Sequence, residues 1–168
     1  DGTTAGTVLL ADFVAGSTSG FFDGFAVMGG FAWFSATVNG AGIELCRTDG
    51  TVAGTQMFAD LTPGTAGSRP NGFVAAGNRV FFRAYVSGLE VGLWITDGTV
   101  AGTQPVLDLP GSLSADIQDM VAVGNNLFFV CDDRQHGSEL WFSDGTVAGT
   151  RLVRDLDVGF GNGALAGS

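Results

Sequence analysis

The phrase Asp-Gly-Thr-x-Ala-Gly-Thr occurs four times in this chain, beginning at Asp1, Asp49, Asp97 and Asp144. The starts lie 48, 48 and 47 residues apart. A fixed period of this length marks a repeat architecture, in which one supersecondary unit is copied and stacked on its neighbours. Such a pattern constrains shape far more than chemistry, because every copy keeps the same positions for packing.

The register extends well beyond the phrase. Asp12, Asp60, Asp108 and Asp155 recur at the same spacing, and so do Gly29, Gly77 and Gly124. The pairs Trp33-Phe34, Phe81-Phe82 and Phe128-Phe129 follow suit. Each unit reads as four short strands rich in aromatic and β-branched residues. The first follows the phrase, as in Gln56 to Asp60. The second is small and apolar: Phe25 to Met28, Phe73 to Ala76, Met120 to Val123. The third carries the aromatic pair, and the fourth contains Glu44-Leu45-Cys46, Gly92-Leu93-Trp94 or Glu139-Leu140-Trp141.

Connection lengths then group the strands. Second and third are joined through Gly29-Gly30, Gly77-Asn78 or Gly124-Asn125-Asn126, residues that accept the positive φ of a tight hairpin. Asn39-Gly40-Ala41-Gly42 joins third to fourth, and the Asp-Gly-Thr phrase joins fourth to the following first strand. Only the link from first to second strand is long, as from Leu61 to Gly72, so it is the natural crossover between sheets. Each sheet therefore comprises second, third, fourth and following first strand, with the small apolar strand innermost.

This grouping predicts an all-β fold of β-propeller-type blades, each of four antiparallel strands. Small residues such as Ala75, Ala76 and Ala122 suit converging inner strands, while Phe81 and Phe128 fill the widening space between blades. A β-sandwich is the alternative for short, evenly spaced strands, but it requires no unit repeated in register. Blades are expected at 25–60, 73–108 and 120–155. An orphan outer strand at Val8–Phe13 and a linker occupy 1–24, and a tail or linker occupies 156–168. About three blades and one extra strand make an incomplete ring, since propellers typically have at least four blades. The start inside the phrase reads as that of a mature or excised segment. The partners expected are further blades, from a longer chain or from other copies, two copies supplying six blades. The orphan strand is a candidate to complete a neighbour's blade.

These residues also carry a resemblance. Glu139-Leu140-Trp141-Phe142-Ser143-Asp144-Gly145-Thr146, followed by Gly149-Thr150 and Val153-Arg154-Asp155-Leu156, resembles the ELWxxDGT-repeat family of bacterial proteins. The match runs over essentially the whole chain; the second unit departs at Gly92 in place of Glu and the first at Cys46 in place of Trp. The resemblance implies large secreted, periplasmic or surface-associated proteins with propeller-like repeats, and it supplies no catalytic residues.

Charge narrows the partners. Seven Arg and no Lys stand against 17 acidic residues, giving a net charge of −10. That field repels phosphate backbones and anionic lipid, which argues against nucleic acid or membrane-surface partners. No apolar run reaches the ~20 residues of a membrane-spanning helix, so membrane insertion is not expected. An acidic, Lys-free surface suits secretion or a salty environment. The two cysteines, Cys46 and Cys131, fall at different strand positions a whole repeat apart and read as small buried hydrophobes rather than a bridge.

Two groupings invite a chemical reading. Asp49-Gly50-Thr51, Asp97-Gly98-Thr99 and Asp144-Gly145-Thr146 offer carboxylate and hydroxyl oxygens of the kind calcium takes, but one Asp and two Thr per loop fall short of six to eight oxygens. The reading preferred is a self-bonded turn, with Asp capping backbone amides and Gly at positive φ; Asp60, Asp108 and Asp155 read as register-setting partners of such turns. The second grouping, Asp132, Asp133, His136 and Glu139, holds the single His and has the composition of a weak metal or proton-transfer site. It falls on the third-to-fourth hairpin, where charged residues ordinarily face water. No serine elbow, zinc spacing or phosphate loop is present. The expectation is a non-enzymatic extracellular structural or protein-interaction module without cofactor. The alternative is a carbohydrate-binding, lectin-like module with sites between blades, and an enzyme ranks third.

Overall fold

The computed structural model describes residues 2–16, 20–85, 91–108, 117–133 and 135–156, with Asp108 by its backbone alone. Asp1, the hairpin tip expected at Ser87 to Glu90, the second crossover, Arg134 and the tail from Asp157 lie outside the described residues.

Twelve strands form among the described residues. They are β1 (Phe22–Met28), β2 (Phe31–Val38), β3 (Gly42–Thr48), β4 (Gln56–Ala59), β5 (Asn71–Ala76), β6 (Arg79–Tyr85), β7 (Val91–Thr96), β8 (Gln104–Asp108), β9 (Ile117–Val123), β10 (Asn126–Asp132), β11 (Ser138–Ser143) and β12 (Arg151–Arg154). They make three four-stranded antiparallel sheets in the orders β1-β2-β3-β4, β5-β6-β7-β8 and β9-β10-β11-β12. The grouping is the one that connection lengths dictate: hairpins stay within a sheet and the long link passes between sheets. Among the described residues no sheet closes on itself, and no helix is long and apolar enough to cross a membrane.

Apolar side chains on alternating positions join the sheets. Ala26, Met28, Trp33 and Leu45 of the first sheet pack against Val80, Phe82, Ala84 and Trp94 of the second. The opposite face of the second sheet, with Ala76, Phe81, Leu93 and Ile95, packs on Ile117, Leu127, Phe129 and Cys131 of the third. β6 is thus covered on both sides, so the uninterrupted apolar run Val80-Phe81-Phe82 lies wholly buried. A strand buried on both faces has no polar side to alternate with. The inner strands adjoin one another in sequence, β1 on β5 and β5 on β9.

Two details differ from the sequence reading. Val8–Phe13 forms no strand. A strand needs a ladder partner, and the fourth strand of a preceding unit, which would supply one, does not lie beside it. Instead the Phe13 carbonyl accepts from the Asn39 amide at 3.1 Å, and the Phe13 ring packs over Phe34 at 6.2 Å. The inner strands also begin earlier than expected, because each runs through a β-bulge. Gly24-Phe25 lie opposite Phe34, Gly72-Phe73 opposite Phe82, and Asp119-Met120 opposite Phe129. The first residue of each bulge has positive φ: 63° at Gly24, 66° at Gly72 and 48° at Asp119. Glycine here is part of the ladder, not its end.

Candidate functional site

The Asp-Gly-Thr turn has the same geometry in all three described copies. Asp49 Oδ1 accepts from the Thr51 amide at 2.9 Å and from its hydroxyl at 2.7 Å. The Thr51 Oγ1 then accepts from the Gly54 amide, while Thr51 carbonyl accepts from the Thr55 hydroxyl. Asp97 and Asp144 repeat these bonds with Thr99 and Thr146. Gly50, Gly98 and Gly145 take φ between 85° and 92°, which a side chain strains to reach. A Cβ on Gly54, Gly102 or Gly149 would run into the carboxylate of Asp49, Asp97 or Asp144. The hydrogen bonds from Thr hold all three carboxyls below the usual carboxylate range. Each turn is therefore a closed, self-bonded unit that carries an exposed valine, Val52, Val100 or Val147, near its tip.

The turns also join sheets. Gly98 lies over Met28 and Trp33 of the preceding sheet, and Gly145 lies against Arg79. Arg79 Nη1 donates to the Asp144 carbonyl at 2.6 Å, tying the second sheet to the turn of the third. Arg83 Nη1 does the same for the Ile117 carbonyl at the opposite end.

Glu44 makes the joint that sequence inspection missed. Its side chain is fully buried in the first sheet. One oxygen accepts from the Ser68 amide at 2.8 Å, the other from the Ser68 hydroxyl at 2.6 Å and the Leu61 amide at 3.1 Å. A buried carboxylate is tolerated only when its lone pairs are so occupied. The bonds pin the crossover, whose Arg69 amide donates to the Ile43 carbonyl and whose Ser68 carbonyl accepts from Tyr85 of the second sheet. The signal was present in Glu44 and Glu139, a charge held in register at a position flanked by core residues. Glu139 is likewise buried in the third sheet.

Of the four residues singled out as a weak metal or proton-transfer set, the structure pairs two. His136 Nδ1 lies 2.8 Å from Asp133 Oδ2, and Asp133 Oδ1 accepts from the Gln135 and His136 amides. Burial disfavours the Asp133 carboxylate, yet the bonds from His136 and Gln135 outweigh it and leave its pKa lowered. The hydrogen bond to Asp133 raises that of His136. Asp132 lies on β10 and Glu139 on β11, and no group of three metal-ligating side chains assembles among the described residues. The geometry is that of a hairpin whose Asp caps its own turn. Cys46 and Cys131 are both buried and form no disulfide, and burial pushes the Cys46 thiol up to about 12.

Among the described residues, the far face of the third sheet has no sheet packed against it. Phe128, Leu140 and Phe142 stand one repeat after Phe81, Leu93 and Ile95, and Val121 and Val123 stand one repeat after Val74 and Ala76. In the second sheet Phe81, Leu93, Ile95 and Ala76 are buried in the joint. In the third, Val121 is 54% exposed, Val123 56% and Leu140 39%. Phe128 and Phe142 pack edge to face at 5.4 Å, with the Arg151 guanidinium 4.9 Å from the Phe142 ring. The face of the first sheet that turns away from the second, which is the opposite face of the repeat, is partly covered: Phe13, Phe22 and Phe25 all lie within ring contact of Phe34. No family model and no curated relative matches the chain.

Proposed function

We propose that this chain is a non-enzymatic, extracellular structural and protein-interaction module of propeller type, completed by further sheets of the same repeat. Those sheets come from a longer chain or from other copies. The observation that carries the reading is the open face of the third sheet, which repeats position for position the apolar face that the second sheet buries. A contiguous apolar face of this kind marks an interaction site, and the surface with the matching shape is another sheet of the repeat. The rigid Asp-Gly-Thr turns, each with an exposed valine, suit a frame that presents loops to partners. The acidic, Lys-free composition and the resemblance to ELWxxDGT repeats support a place outside the cell.

Light scattering on the chain at native concentration tests the reading. The expected result is a mass above that of the monomer, returned to the monomer's by Phe128→Asp combined with Leu140→Asp. A wild-type chain that remains a folded monomer at every concentration, with no further repeat in its natural polypeptide, overturns it.

A further inference from the structure

The three bulges of the inner strands meet and line an open, solvent-facing pocket of about 540 Å³. That volume lies within the range of small-molecule sites, roughly 300–1,000 Å³. The bulges explain why it exists. Each turns its strand aside at the same point of the repeat, and three strands turned aside together leave a space between them. Close approach is built in as well, since a Cβ on Gly24 would come within 2.5 Å of the Phe73 ring.

The third bulge departs from its sisters. Gly24 and Gly72 meet the positive φ without a side chain, whereas Asp119 meets it at 48° and brings a carboxylate to the lining. A non-glycine residue in this region costs conformational energy, and such outliers gather at sites of function. The rest of the lining is mixed. Phe25 and Phe73 supply aromatic surface, and Phe25 is 66% exposed despite its size. Asp23 and Gln118 add polar groups, and Arg83 is held in place through its bond to the Ile117 carbonyl.

We propose that this pocket binds a neutral saccharide unit, with Asp119, Asp23 and Gln118 on its hydroxyls and Phe25 and Phe73 against its apolar ring face. The charges choose the class. Two carboxylates within a chain of net charge −10 disfavour an anion, and the Arg83 guanidinium weakens the pull of those carboxylates on a cation. A polyol with one apolar face satisfies acceptors, donor and aromatics together. The site lies within one chain, so it does not depend on further sheets joining the third.

Titration of the isotope-labelled protein with glucose, galactose and N-acetylglucosamine, followed by amide NMR, tests the assignment. At least one sugar should give saturable shifts at Gly24, Gly72 and Asp119, with a dissociation constant of about 10 mM or tighter. Asp119→Gly should weaken binding about tenfold, the loss of one charge-assisted hydrogen bond. That variant installs the residue both sister repeats carry at this position, so the fold is retained. Phe25→Ser should weaken binding independently, which guards against any effect of Asp119 on the bulge. No saturable shift with any of the three sugars overturns the proposal. So does binding indifferent to both substitutions, or saturable binding of inorganic phosphate alone at the same amides.

Discussion

Phe81 and Phe128 occupy the same place in successive repeats, yet one is sealed in a joint between sheets and the other is only partly buried, on a face with no sheet against it. Their neighbours repeat the contrast: Leu93 is fully buried and Leu140 is 39% exposed. Residue type is nearly constant across the pair, so position in the stack alone decides what each side chain contributes. In a repeat protein much of the stability comes from the joints between neighbours, and an end face lacks that contribution. The end of the first sheet presents the opposite face of the repeat, at Phe34, which corresponds to Phe82 and Phe129, and there Phe13 and Phe22 lie across it and cover part of the surface.

The comparison breaks most sharply under truncation. Phe81→Ala should destabilise the chain by about 3–5 kcal/mol, the cost of a cavity in a packed core. Phe128→Ala should cost less, about 2 kcal/mol in the dilute chain, because the ring is only partly buried and packs mainly on Phe142 of its own sheet. Urea denaturation of both variants reads the difference; equal losses would mean that the two faces are equally buried and would remove the distinction between joint and end.

A joint also contains more than its apolar face, and Glu44 measures how much. Glu44→Ala strands the Leu61 and Ser68 amides in the first crossover, with an expected loss of about 3 kcal/mol in urea denaturation. Glu44→Gln keeps an acceptor and should cost about half as much. A loss no greater than that of Phe128→Ala would show that apolar packing alone holds the first and second sheets together.

The smallest effect belongs to the Asp133–His136 pair, which lies on a hairpin away from either joint. The folded pKa of His136 is raised, so its share of stability is full below the ordinary value of 6.5 and is lost as pH rises through the folded value. Asp133 is lowered, so its share is full above 3.8 and is lost as pH falls through its lower folded value. The pair therefore acts fully between those two values. NMR titration of the imidazole should place His136 above 6.5 and return it toward 6.5 in Asp133→Asn. An unshifted wild-type His136 would show that the pair does not form in solution.

Much of the fold can be read from spacing. Short glycine-containing links join strands that pair, and the long link after Ala59 joins strands that do not, because a hairpin cannot span two sheets. The Asp and Gly of the repeated phrase also announce their geometry, since that turn is built almost wholly from its own residues. What escaped were features made by distant parts of the chain. Gly24 and Gly72 look like breaks in a strand until the opposite strand shows them to be bulges. Val8–Phe13 has the look of a strand but finds no ladder partner. Glu44 reads as a conventional polar interruption, and only Ser68, a crossover away, explains its burial.

The sequence by itself determined the period, the four strands of each unit, their order within each sheet and the chemistry of the turns, because all of these depend on contacts within a few tens of residues. Only the tertiary structure decided which apolar faces are sealed and which is open, how a buried carboxylate is satisfied, and where three bulges leave a pocket. Those outcomes depend on how whole sheets lie against one another, and the repeated positions carry no mark of their place in the stack.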